Sequence, residues 1–312
     1  MFCIISFIVL SILGIFSASN RILAREALDC VFRRITLRPC NTGFDQKMKA
    51  KLLGKVVNRS EKAARFINKN FELLSWLFFI IILVSSFLAV HGVYLFYRYG
   101  SCNGLNESGV CIFDPKGENN KISTVSANCD PQTVNSAGLT LKDVNLDLFP
   151  VKNPQVKDKL VFIGCYECDF TRKVYPLIQQ LTQKFEVSFT FAHYPTKGNT
   201  QYLSEVGVCV YQQNPEKFWQ FNDALFASDK TKLEDPNYVN QVIADLGLDL
   251  NGIQGCLFDA RTKETVTKQV QELEKTGIYG TPTIFINGSP LVGPKPYRVY
   301  AIMLKGLFYW LR

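Results

Sequence analysis

At 312 residues the chain has room for one substantial domain plus appendages, with 47% apolar residues and a formal charge of +8. The charge is not spread. Between Ser19 and Glu72 stand 13 basic and 5 acidic residues, a surplus equal to the whole +8, so the remainder is neutral and gives no reason to expect a nucleic-acid surface. Two histidines and a single Cys-x-x-Cys argue against a four-ligand zinc site, and no metal ligand set is assigned.

In chain order, residues 1–18 come first. The apolar run Phe2–Phe16 ends in Ser17-Ala18-Ser19 but lacks the leading positive charges of a cleaved signal peptide, and is read as an N-terminal transmembrane anchor. Residues 19–72 form a basic cytosolic loop, expected to be largely helical over Phe44–Phe71, with its basic face on anionic lipid headgroups. Cys30 and Cys40 in this loop have no metal-ligand spacing and read as reduced, quiet thiols. Residues 73–97 carry no charge and are long enough to span a bilayer as a helix, with Trp76 at one end and Tyr94, Tyr97 and Tyr99 at the other as interfacial anchors. His91 near the outer end reads as a tolerated interfacial residue. The positive-inside rule keeps the basic loop in the cytosol. The expected topology is therefore two spans in the cell membrane, with everything after Tyr97 extracytoplasmic.

Residues 98–158 read as an extracytoplasmic linker, with a lead-in strand near Leu146–Val151. Asn106-Glu107-Ser108 has the pattern of a glycosylation acceptor. Cys102, Cys111 and Cys129 lie here. A Cys102–Cys111 staple is expected outside the cytosol, but three thiols cannot all pair among themselves and the connectivity stays open.

Residues 159–312 alternate between element types. Lys159–Gly164 reads as a buried strand running into Cys165, Thr171–Phe185 as a helix, and Val187–Phe191 as a strand. Asn214-Pro215 and Asp235-Pro236 start helices over Glu216–Phe226 and Tyr238–Leu246, and Ala260–Thr276 is helical. Thr283–Asn287 turns through Asn287-Gly288 onto Leu291–Val292, and Tyr297–Leu311 closes the chain as an amphipathic helix. This order describes an α/β sheet with an inserted helical subdomain.

The pair Cys165-Tyr166-Glu167-Cys168 carries the chemistry. At a strand-to-helix junction, unpaired N–H groups and the helix dipole stabilise a thiolate on Cys165, and Cys168 one turn later is close enough to close a disulfide. A purely structural disulfide over so short a separation would restrain little chain.

Phe162-Ile163-Gly164-Cys165-x-x-Cys168, then Phe191-Ala192-His193-Tyr194-Pro195, then Lys217 to Phe226, then Gly280 to Gly288 resemble the successive signatures of the DsbA-like thioredoxin family, over roughly Leu160–Leu311. The resemblance implies a thioredoxin-like fold with a helical insertion, Cys165 as nucleophile and Cys168 as resolving cysteine. It implies that Thr281-Pro282 is the cis-proline dipeptide whose backbone meets an incoming peptide, and that Cys209 and Cys256 form a structural disulfide pinning the insertion. The sequence departs from the strongly oxidising members at Tyr166-Glu167. A carboxylate beside Cys165 opposes the thiolate, so a moderate potential is expected.

What the resemblance implies is an enzyme, a protein-disulfide oxidoreductase needing no cofactor beyond its own cysteines. It would form, reduce or isomerise disulfides in exported proteins and exchange electrons with a membrane redox partner, a quinone-coupled one being an option. The rival reading is a non-enzymatic membrane scaffold whose thioredoxin-like domain binds peptides. The direction of electron flow is open at this stage.

Overall fold

The computed structural model describes residues 7, 18–36, 38, 44–57, 60–107, 109–124, 138–196 and 200–311. Most of the expected first span, together with Cys40 and Cys129, lies outside these residues. The chain divides into two compact units, Met1–Val90 and His91–Arg312.

The first unit is helical: α1 (Ala18–Ile35), α2 (Phe44–Val57), α3 (Glu61–Lys69) and most of α4 (Phe71–Tyr99). Ser60 caps α3 by accepting from the Ala63 N–H at 3.4 Å, and Arg65 pairs with Glu61 one turn away at 2.6 Å. Ala24, Ala27 and Cys30 line a small buried face of α1. Cys30 is disulfide-bonded, which corrects the expectation of a reduced thiol. A disulfide needs only spatial proximity, so no spacing in the sequence announces it. Among the described residues, α4 is the one helix long and apolar enough to cross a membrane. Its 29 residues reach about 43 Å at 1.5 Å per residue, with Glu72 and Arg98 at its two ends.

In the second unit, α4 ends against the domain. Arg298 donates to the carbonyls of Tyr97 and Phe96, both at 3.2 Å, and Phe96 stacks on Phe113 at 5.0 Å. The stretch that follows is stapled by a Cys102–Cys111 disulfide. The Asn106 side chain ties this stretch to the strand Ser289–Val292, donating to Pro290 O at 2.9 Å and accepting from Val292 N–H at 2.8 Å. The stretch reaches a two-residue strand, β1 (Ser123–Thr124). The expected lead-in strand at Leu146–Val151 is instead a 3₁₀ turn at Leu146–Leu148, capped by Asn145, followed by β2 (Val151–Lys152).

The core sheet then assembles from β3 (Lys159–Gly164), α5 (Asp169–Lys184) and β4 (Ser188–His193). After β4 comes the helical insertion: α6 (Thr200–Gln213), α7 (Pro215–Ala227), α8 (Pro236–Asp245), α9 (Leu250–Phe258) and α10 (Ala260–Glu274). β5 (Gly280–Thr281), β6 (Thr283–Ile286), β7 (Ser289–Val292) and α11 (Tyr297–Lys305) complete the domain. The five-stranded sheet has the order β2-β4-β3-β6-β7, with β3 and β4 parallel and the other pairs antiparallel. Alternation along β3 sends Leu160 and Phe162 into one core, with α5, the insertion and α11, and Val161 and Ile163 into the other, with Phe149 and Leu273. The β6–β7 turn places Asn287 and Gly288 at φ 49° and 82°, the geometry that an Asn-Gly pair adopts. The last helix stops at Lys305 rather than at Leu311, because Gly306 takes φ 87° and breaks it. Cys209 on α6 and Cys256 on α9 are disulfide-bonded, with a Cα–Cα distance of 5.8 Å.

Candidate active site at the Cys165–Cys168 turn

β3 delivers Cys165 to the end of the sheet. Gly164 must be a glycine here, since a Cβ would come within 2.5 Å of the Thr171 methyl. The close approach lets Thr171 bind both cysteines: its hydroxyl accepts from Cys165 N–H at 3.4 Å, and its own N–H points to Cys168 Sγ at 3.4 Å. The helix begins at Asp169, two residues before the expected Thr171. Cys168, not Cys165, is the N-cap of α5, and Cys165 joins it through a turn closed by Cys168 N–H to Cys165 O at 3.2 Å. The orphan N–H groups of the helix therefore serve Cys168 directly. Both residues are fully buried, and among the described residues they are the free cysteines.

Tyr166 is a buried wedge, not an exposed loop residue, with 1% of its surface accessible. Its N–H faces His193 Nε2 at 3.4 Å, its ring lies 4.4 Å from the imidazole and 4.9 Å from Phe226, and its hydroxyl donates to Asn222 Oδ1 at 2.7 Å. Asn222 in turn donates to Tyr175 OH at 2.7 Å, and Tyr175 donates to Asp223. Burial pushes the Tyr166 and Tyr175 phenols up, so both stay protonated donors. Behind the dipeptide lies a cavity of about 230 Å³, lined by Tyr166, His193, Leu203, Tyr211 and Phe218 among others.

Arg172, one turn into α5, was not singled out by the sequence. Its guanidinium donates to Tyr166 O at 2.9 Å, Leu225 O at 3.3 Å, Phe226 O at 2.9 Å and Ser228 O. It ties the cysteine turn to the C-terminal end of α7, whose last carbonyls have no helical partner. Only the helix carrying it was legible, not this convergence of carbonyls.

Glu167 is 8% exposed, and its Oε1 has no hydrogen-bond partner. Burial, then the neighbouring Cys165, then Glu234 raise its pKa. The charged form of Glu167 is therefore disfavoured by its burial and by its place beside Cys165.

Thr281 and Pro282 are joined by a cis peptide bond, and Thr281 O lies 3.4 Å from Cys168 Sγ. Ser123 Oγ accepts from the same sulfur at 3.0 Å, a contact that no local pattern announces. The structure thus gathers Cys165, Tyr166, Glu167, Cys168, Thr281 and Pro282 at one end of the sheet, while Cys209–Cys256 lies within the insertion.

The family model for the DSBA-like thioredoxin domain matches residues 140–304, more than half of the chain. A probable disulfide bond formation protein D of Bacillus anthracis is 26% identical over 144 residues, covering 42% of this chain and 65% of that protein. A Na(+)/H(+) antiporter NhaA of Nitrosospira multiformis is 28% identical over 143 residues, covering 45% of this chain but 22% of its own length. The chain thus spans less than two thirds of these curated relatives. Among solved structures, oxidised BdbD from Bacillus subtilis is similar with a TM-score of 0.42 and 22% identity, covering 50% of this chain and 89% of that one. With the Cys-x-x-Cys turn, the five-stranded sheet and the inserted helices all inside the matched span, the chain belongs to the DSBA-like thioredoxin domain family.

Proposed function

We propose that this protein is a membrane-anchored thiol–disulfide oxidoreductase acting on cysteines of exported proteins, with Cys165 as nucleophile and Cys168 as the resolving cysteine. The observation that carries the reading is the contrast among its cysteines. Cys102–Cys111 and Cys209–Cys256 are closed, whereas Cys165 and Cys168 stand as open thiols at the sheet end. In the exchange, the Cys165 thiolate attacks one sulfur of a client disulfide and expels the other as a thiolate, giving a mixed disulfide. Cys168 then attacks Cys165, releasing the second client thiol and leaving Cys165–Cys168 oxidised. The reverse sequence transfers the disulfide to a reduced client.

The α4 helix supports the anchor, and the surplus of basic residues before it supports a cytosolic loop with the redox domain outside. The lipid bilayer and a membrane redox partner belong to the same proposal, the partner returning the cysteine pair to its working state.

The test is trapping. The full chain carrying Cys168→Ser, incubated with an oxidised client protein, is expected to accumulate a mixed disulfide through Cys165, and Cys165→Ser to accumulate none. Equal adduct levels in the two variants would remove the assignment. The potential, titrated against glutathione, sets the direction: a value well above about −180 mV marks an oxidant, and one near about −270 mV a reductant.

A further inference from the structure

The backbone edge beside the cysteine pair is already occupied, by this chain itself. β5 pairs with β1 in a separate two-stranded sheet, Ser123 opposite Thr281 and Thr124 opposite Gly280. Pro282 has no N–H, so Thr281 is the last residue of this edge able to donate to a ladder. Ser123 is buried, and its hydroxyl accepts the Cys168 thiol at 3.0 Å. A hydroxyl there satisfies the sulfur but cannot exchange with it.

The approach of this segment is built, not incidental. A Cβ on Gly280 would come within 2.6 Å of Ile122 and 2.9 Å of Ser123 O, and one on Gly293 within 2.8 Å of Lys121 O. Both glycines leave room for backbone. The buried Lys295 donates to Asn120, Asn119 donates to Gly100 O at 2.8 Å, and Asp114 accepts the N–H groups of Glu118 and Asn119 at 2.8 and 2.9 Å. These bonds hold the stretch before the strand. The strand itself has two residue pairs, too short a ladder to be stable on its own. Meanwhile Cys165 and Cys168 have no exposed surface, although exchange requires contact with a third sulfur.

We propose that residues 121–124 are a resident occupant of a peptide-docking edge on β5, which an extended client segment replaces strand for strand before thiol exchange. The inference rests on the oxidoreductase reading and adds what its clients must do. Main-chain pairing along β5 would admit any extended segment regardless of sequence, whereas folded clients without a free strand would be refused. Being tethered, the resident strand competes at high effective concentration and weakens apparent client affinity by the fraction of time it is bound. The anchored segment before it stays in place while the short strand leaves.

The experiment uses the full chain in lipid nanodiscs and a fluorescent, cysteine-free, extended peptide of about 12 residues as probe. In a Cys165→Ser background, Ser123→Cys is oxidised so that the introduced sulfur bonds Cys168, as verified by peptide mapping. The locked chain is expected to lose peptide binding, and dithiothreitol to restore it. Binding that is equal in the locked and reduced forms overturns the proposal, as does failure of the bond to form. Separately, Thr124→Pro removes an N–H from the resident strand, and is expected to tighten peptide binding about fivefold and to speed Cys165 alkylation about as much. Normal turnover of a reduced client by native chain and Thr124→Pro alike, with alkylation and binding unchanged, overturns the resident strand and leaves the redox reading standing. Absence of turnover in the native chain, with the lock still blocking the peptide, overturns the redox reading alone.

Discussion

Tyr166 N–H points at His193 Nε2, 3.4 Å away, while Nδ1 of the same ring lies 2.6 Å from Ser204 Oγ. The first contact needs an unprotonated nitrogen, so the ring is neutral and carries its proton on Nδ1 toward the serine. The sequence placed His193 inside a family signature without a role; its role is to hold the backbone between the two cysteines.

That neutral ring makes the domain acid-sensitive. Burial pushes the His193 pKa down from 6.5 to about 3. Between those values the unfolded chain binds a proton that the folded chain excludes, so the contribution is complete above pH 6.5 and is lost as pH falls toward 3. Thermal melts of the full chain in detergent should show Tm falling from pH 7 to pH 4. His193→Gln should flatten that slope, and an unaltered slope would exclude the ring as its cause.

Lys295 acts in the same direction over a higher pH window. It is 2% exposed, and burial lowers its pKa from 10.5 to about 7. Above pH 7 the folded ammonium sheds its proton while the unfolded one keeps it, so stability rises from pH 7 toward 10.5. Lys295→Met should remove that rise. Melts at pH 7, 8 and 9 distinguish the two chains.

Arg172→Lys should destabilise the cysteine turn. One ammonium cannot reach the four carbonyls that the guanidinium joins. Hydrogen bonds to a charged donor contribute about 1.5–3 kcal/mol each, and losing part of the set should cost roughly 2–4 kcal/mol. Denaturant titration with tryptophan fluorescence measures it, and a loss below about 0.5 kcal/mol would mean the carbonyls find other partners.

Glu167→Gln tests whether the carboxylate beside Cys165 opposes its thiolate. The substitution removes a buried charge adjacent to the nucleophile, which should stabilise the Cys165 thiolate and make the pair more oxidising. The expected rise is about 10–30 mV, where about 30 mV is tenfold in the exchange constant. The alkylation rate of Cys165 against pH should move to lower pH in parallel. A potential unchanged within 5 mV, roughly 1.5-fold in the constant, would show Glu167 to be neutral throughout.

The sheet and its redox turn were legible because each rests on local pattern. An apolar run precedes Cys165, Pro follows each helix cap at Asn214 and Asp235, and Asn287-Gly288 turns a hairpin. What stayed hidden depends on pairing between distant segments. Nothing around Ser123 marks it as a strand, since it becomes one only when Thr281 is beside it. The helices Thr200–Gln213 and Leu250–Phe258 were also not separated from their surroundings, the second having glycines at Gly252 and Gly255 that blur its periodicity. The burial of Glu167 was not legible, because sequence does not show that Tyr166 pulls the turn inward.

The Cys209–Cys256 bond encloses the helices between α6 and α9, a loop for which chain entropy gives about 4 kcal/mol. A newly made copy lacks that bond and the Cys102–Cys111 staple as well. On the proposed function, the protein is then among its own class of clients. Where the measured potential marks an oxidant, a new molecule would gain these bonds from an outside agent or from an older copy, so its abundance would respond to the oxidising capacity already present, with a lag after that capacity is lost. Pulse-labelling would show this as a transient reduced form whose lifetime shortens as mature copies accumulate.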